Sequence, residues 1–145
     1  WQTDKPIYNN TTFHRIVKGF MVQGGDPSGT GSGDVGFTIP MEKSRNLPHD
    51  RAGRLAMARR ADPDSASSQF YITFGPTTAL DNPARPYAVF GQVIHGMPTL
   101  RRLEQVETKL NRGGEKSAPV ETVHLHKVEI IRVEEDKTQE VTYKE

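Results

Sequence analysis

Apolar positions along this chain come in short bursts, separated by polar stretches rich in glycine and proline. Residues 1–12 are polar and read as loop. Phe13 to Val17 and Met21 to Gln23 flank a Lys-Gly turn and predict a hairpin. Residues 24–36 form a glycine-rich loop, "FTIP" a short strand closed by Pro40, and residues 41–53 an irregular stretch. Arg54 to Ala58 reads as a buried strand. Gln69 to Phe74 ("QFYITF") is the strongest strand by composition. The segment "GPTTALDNPARP" predicts a loop with one helical turn, and residues 87–94 a strand with Gly91 at a bulge. One helix is predicted: Pro98 suits its first turn, and Leu100, Leu103 and Val106 share a face. A last strand is predicted from Val120 to Val133, followed by a charged tail over residues 134–145. The pattern therefore predicts one mostly-β domain over residues 1–133, a barrel or sandwich with a helix.

The first hairpin poses a chemical question, because Arg15 and Gln23 lie among Phe, Ile, Val and Met. A three-residue loop of Lys18, Gly19 and Phe20 pairs Val17 with Met21 and Arg15 with Gln23, and directly opposed residues share a face. Arg15, Val17, Met21 and Gln23 then form one patch with Phe20 at its edge. A two-residue loop sets Arg15 opposite Val22 and dissolves the patch. From pattern alone, a merely solvated strand face is an equal alternative.

Composition narrows the remaining chemistry. The chain has 145 residues, and its apolar residues plus 13 glycines make up about 43%, just under the about 45–50% of globular chains, so the core is small. A net charge of +1 supplies no general attraction for nucleic acid or an anionic membrane. With no cysteine there is no disulfide, thiolate nucleophile or Cys-ligated zinc. No apolar run approaches the ~18 residues of a membrane span. No signal peptide is visible, which slightly favours the cytoplasm, and the absence of an initial methionine suggests part of a longer chain.

Two further motifs carry little. "GSGDVG" matches G-x-G-x-x-G, but "FTIP" follows where a nucleotide-binding helix would begin. His124 and His126 share a strand face, yet no third metal ligand is apparent, and a solvated face is the better reading.

Taken together, "FHRIVKGFMVQGGDPSGTGSG", "RLAMAR", "SSQFYITF", "LDNPARPYAVFGQVIHGM" and "KVEII" resemble, in order and spacing, the motifs of the cyclophilins, a peptidyl-prolyl isomerase family. The likeness covers about residues 7–133, and "SQFYI" and "YAVFGQV" are more similar to bacterial than to eukaryotic members. The resemblance implies an eight-stranded closed antiparallel barrel capped by helices. The family's first two strands and first helix precede the region of "YNNTTFHR" and have no counterpart in this sequence. It implies that Arg15 is catalytic and that Phe20, Met21, Tyr71 and Leu80 form the proline pocket. Gln23 stands beside the arginine. Ala58, Arg59 and Gln69 fall where the substrate backbone is held, and Tyr87 where a groove histidine is common.

The sequence departs from the family in places. Tyr71 replaces a usual phenylalanine, Arg59 a common asparagine, and Ala79 a tryptophan that helps bind cyclosporin. The loop "ARRADPDSASSQ" is one residue longer. The expected partners are proline-containing peptides and unfolded or partly folded chains, with weak cyclosporin binding, no nucleic acid and no membrane. The expected state is a monomer with no metal and no cofactor. An isomerase that assists folding is the leading reading. A non-catalytic module that docks proline segments is the alternative, and retention of Arg15 favours catalysis.

Overall fold

The computed structural model describes residues 6–42 and 47–133. The predicted tail over residues 134–145 lies outside them. The main sheet holds five antiparallel strands in the order β2 (Arg15–Val17), β3 (Met21–Gly24), β5 (Phe70–Thr73), β4 (Arg54–Met57), β6 (Val89–Gln92). Two small ribbons accompany it. One pairs β1 (Thr11–Thr12) with β9 (His124–Leu125), the other β7 (Thr108–Leu110) with β8 (Lys116–Pro119). Among the described residues, the helix α1 (Met97–Glu104) completes the regular structure, together with 3-10 turns at Pro63–Ser65 and Thr78–Asp81.

Side-chain alternation divides the main sheet into two faces. Ile16 and Val22 point to one side, where they pack with Phe13 and Leu100 and against Phe70, Ile72, Leu103 and Val106. Leu100 and Leu103 of the predicted helix face therefore cover this side, while Val106 packs there from just beyond the helix end at Glu104. Met21, Ala56, Tyr71 and Val89 form a second cluster with Val17, Phe20, Ala58, Leu80 and Tyr87. The helix also braces the first hairpin, since Gly19 N–H donates to Glu104 Oε1 at 3.0 Å. Gly19 itself has φ 74°, a value that favours glycine at this turn.

Three predicted strands need correction. "FTIP" is no strand: only Ile39 bridges Ala66, and Pro40 has no N–H to continue a ladder. The long strand from Val120 to Val133 reduces to His124–Leu125. Its partner β1 begins at Thr11; Asn10, at φ 56°, still donates its N–H to the His126 carbonyl at 3.2 Å, but residues 7–10 form a turn and extend the ladder no further. In β6 the extra residue is Phe90 rather than Gly91, because Leu55 and Ala56 face Gly91 and Val89.

The glycine-rich loop is wound around one carboxylate. Asp26 is fully buried and accepts from the backbone N–H of Ser28 (2.8 Å), Gly31 (2.6 Å) and Gly33 (3.1 Å). A Cβ at Gly33 would overlap that carboxylate. Burial pushes the Asp26 carboxyl up, but the bonds from Ser28, Gly33 and Gly31 outweigh it and hold the group at about 2.

Because the folded value lies below the ordinary one, the stabilisation is full above about pH 4 and fades as pH falls towards 2. Asp26→Asn should cost about 2 kcal/mol at neutral pH, by weakening charge-assisted bonds. Urea melts from pH 7 to pH 2.5 should show a flatter acid limb for the variant. Parallel limbs would mean that the carboxylate does not anchor the loop.

Candidate active site

The register of the main sheet sets one row of side chains across all five strands. Arg15 lies opposite Gln23, Gln23 opposite Tyr71, Tyr71 opposite Ala56, and Ala56 opposite Val89. Directly opposed residues share a face, so the row is continuous. The three-residue hairpin loop is the one formed, since Val17 also faces Met21. The row borders a cavity of ≈ 180 Å³. Met21 and Tyr71 form its buried base, Phe20 and Leu80 its apolar walls, and Arg15 and Gln23 its polar rim. Ala58, Arg59 and Tyr87 close the far side.

Arg15 is held from two sides. Its Nε and Nη2 donate to Glu115 Oε2 and Oε1 at 2.8 and 2.7 Å, a bidentate pair. Its Nη1 donates to Gln23 Oε1 at 3.1 Å and lies 3.8 Å from Met21 Sδ. The Gln23 amide is oriented in turn: its Nε2 donates to Gln69 Oε1 at 2.9 Å, and Gln69 Nε2 donates to the carbonyls of Gly31 (3.1 Å) and Gly33 (2.9 Å). Carbonyls only accept, so they fix the sense of both amides and turn an oxygen towards Arg15. The glycine-rich loop thus orients the arginine through two glutamines. Glu115 is held down at about 2, chiefly by its hydrogen bonds from Arg15, and the pair stays charged at neutral pH.

A second chain lies behind the pocket. His49 is fully buried, with Nδ1 2.6 Å from Asp81 Oδ1 and Nε2 2.7 Å from the Tyr71 hydroxyl. The carboxylate only accepts, so Nδ1 carries a hydrogen, and the hydroxyl closes the chain at Nε2. The His49 N–H also donates to both Asp81 oxygens, at 3.1 and 3.0 Å, which pins the 3-10 turn bearing Leu80. Burial first, then Tyr87 and Asp81, push the Tyr71 hydroxyl above its ordinary range. Tyr87 meets Tyr71 edge-on at 6.1 Å, and the Arg59 guanidinium sits 4.4 Å over the Tyr87 ring. Arg59 Nε donates to the Pro86 carbonyl at 3.0 Å and Nη1 to the Arg60 carbonyl at 2.9 Å, so this arginine braces the rim.

Nine of the ten residues singled out from the sequence border this one cavity. The tenth, Gln69, lies in an adjoining groove shared with Gln23, Ala58 and Arg59. His124 and His126 stack with ring centroids 5.6 Å apart, away from the site, and no group of three or more potential ligands gathers for a metal among the described residues. Sequence reading missed Glu115, His49, Asp81 and Ala56. The turn signal "NRGG" between "ETKL" and "KSAP" could have revealed the β7–β8 hairpin that carries Glu115. Nothing local marks His49, whose partners lie 22 and 32 residues away.

A profile described as cyclophilin type peptidyl-prolyl cis-trans isomerase matches residues 2–130. The chain belongs to the cyclophilin family. Peptidyl-prolyl cis-trans isomerase-like 1 of Gibberella zeae is 43% identical over 131 residues, covering 88% of this chain and 75% of the relative. The Homo sapiens protein of that name is 42% identical over 123 residues, covering 83% and 69%. A Cryptosporidium parvum cyclophilin type isomerase, whose crystal structure was determined in the presence of the dipeptide Ala-Pro, matches with a TM-score of 0.73 at 35% identity. That match covers 83% of this chain and 73% of the other. The cyclophilin fold and the isomerase class of the enzyme follow from these likenesses, and this cyclophilin is a peptidyl-prolyl cis-trans isomerase. These relatives are eukaryotic and lend no support to the bacterial likeness of its motifs.

Tyr71→Phe removes the hydroxyl and leaves His49 Nε2 buried without a partner. The expected loss of stability is about 1–3 kcal/mol, the cost of one unsatisfied buried polar atom. Thermal or urea unfolding measures it. An unchanged midpoint would mean that the Asp81–His49–Tyr71 chain contributes nothing net.

Proposed function

We propose that Arg15 is the group that lowers the barrier to X-Pro rotation, and that the cavity beside it receives the prolyl ring. Amide resonance sets that barrier at about 18–20 kcal/mol. In the twisted transition state conjugation is lost, and the prolyl nitrogen becomes a pyramidal acceptor with a free lone pair. A donor fixed beside that nitrogen binds the twisted state better than the planar one, which accelerates rotation. The observation that carries this reading is the row register, which seats a guanidinium held by Gln23 and Glu115 at the rim of an apolar cavity. Arginine suits the task, being always charged and presenting donors in a rigid fork.

Phe20, Met21, Tyr71 and Leu80 grip the ring, while the residue before proline turns at the open rim. Ala58, Arg59, Gln69 and Tyr87 are the groups that meet the flanking backbone. Each step needs only donors and apolar contact. The substrates are proline-containing peptides and segments of unfolded or partly folded chains, so the enzyme assists folding.

Arg15→Ala should lower kcat/KM for an Ala-Pro-type peptide by about 2–4 kcal/mol, by analogy with the loss of one oxyanion donor. Most of the loss should fall in kcat, with peptide affinity little changed. A protease-coupled or NMR exchange assay decides, and turnover within twofold of the parent removes Arg15 from the chemistry.

Ala79 is exposed on the 3-10 turn beside Leu80. Cyclosporin should bind weakly here, since alanine supplies neither the apolar area nor the N–H donor of an indole. Ala79→Trp should tighten cyclosporin binding in a fluorescence titration and leave peptide turnover nearly unchanged. Equal binding by parent and variant would place residue 79 off the groove.

A further inference from the structure

We propose that Glu115 is a positioning residue for isomerisation, setting the plane of the Arg15 guanidinium before substrate arrives; this rests on the catalytic reading of Arg15. The geometry carries the point. Gln23 holds the fork by one Nη1 bond, and a single bond leaves the guanidinium free to pivot about it. Glu115 adds two parallel bonds at 2.8 and 2.7 Å, and a bidentate carboxylate fixes a plane as well as a distance. Three of the five N–H groups are then given to oxygen acceptors, and Nη1 also donates to Met21 Sδ at 3.8 Å. One free Nη2 hydrogen, and an Nη1 hydrogen engaged only by the weakly accepting thioether, are left for a prolyl nitrogen in the cavity that Arg15 lines.

Glu115 is itself set by backbone geometry rather than by a flexible reach. Asn111 Oδ1 accepts from the N–H of Gly113 (2.9 Å) and of Glu115 (3.0 Å), and Asn111 N–H donates to the Glu115 carbonyl at 2.8 Å. Asn111 Nδ2 also donates to Ser117 Oγ at 3.1 Å, and Ser117 is buried. This tight turn joins β7 to β8, and β8 lies against β2, the strand that carries Arg15.

Stability does not account for the arrangement. The two side chains are 32% and 41% exposed, and ion pairs with that much water around them contribute little to folding. The carboxylate also offsets part of the positive charge at Arg15. That trade suits this reaction, because the developing acceptor is a neutral lone pair, for which direction counts more than net charge. Ordering the fork in the free enzyme removes an entropy cost from the reactive step.

The test is a double-mutant cycle in the intact protein, reading kcat and KM on an Ala-Pro-type peptide, with the melting temperature as a control. Glu115→Ala should lower kcat about tenfold, less than the roughly hundredfold of a misplacement by about 1 Å because Gln23 still holds the fork, with KM and melting temperature nearly unchanged. Glu115→Gln should lower it less, because one acceptor oxygen remains. In an Arg15→Ala background, neither change should lower turnover further, since the group they position is gone. Unchanged or raised kcat in Glu115→Ala, beside a loss in Arg15→Ala, overturns the proposal and leaves the role of Arg15 intact. An equal loss in both backgrounds also overturns it, by making Glu115 a general structural residue. If Arg15→Ala keeps parental turnover, the catalytic reading itself fails and the positioning role falls with it. If Glu115→Ala does not fold, the near-isosteric Glu115→Gln carries the same cycle.

Discussion

Strand register is the constraint on which the rest of this molecule depends. A slip of one residue between β3 and β5 would turn the first hairpin over relative to the rest of the sheet. Arg15 and Gln23 would then enter the core with Leu100, and Ile16 and Val22 would face the groove. Hydrophobic burial on the helix side therefore enforces the polar row on the other side. Packing energy is what holds the geometry around Arg15, although none of the core residues on the helix side borders the cavity.

On that fixed row, hydrogen-bond direction does the finer work. Backbone carbonyls of Gly31 and Gly33 determine which way Gln69 points, Gln69 determines Gln23, and Gln23 presents an acceptor to Arg15. The loop that supplies those carbonyls is in turn gathered around Asp26. A glycine-rich segment that resembles a phosphate cradle in sequence is thus an orienting frame in the structure. The N–H groups of Ser28, Gly31 and Gly33 are spent on an internal carboxylate, and those of Ser32 and Val35 on hydroxyls.

The sequence made the site legible where chemistry was local, and hid it where chemistry was distant. The sequence offered two hairpin registers; the three-residue loop of Lys18, Gly19 and Phe20, which puts Arg15 opposite Gln23, is the one the structure forms. The family likeness then located the pocket residues contributed by β5 and by the 3-10 turn. Strand ends were less legible, because they depend on a partner: the stretch from His126 to Val133 has strand composition, but the facing chain is a turn over residues 7–10. The buried His49–Tyr71 bond and the Glu115 clamp join residues far apart in the chain, and no periodicity or turn signal encodes such a pairing.

The Arg15–Glu115 pair closes a loop of 100 residues, so it has a kinetic meaning as well as a geometric one. Local hairpins such as β2–β3 form in about 1–10 μs. Contacts of large sequence separation wait on chain closure and are slow to be rewarded. A refolding chain will therefore acquire the Arg15–Gln23 pair early and the opposing carboxylate late. On the roles proposed for Arg15 and Glu115, recovery of full turnover is a clock for the arrival of the C-terminal hairpin, not for the sheet that carries the arginine.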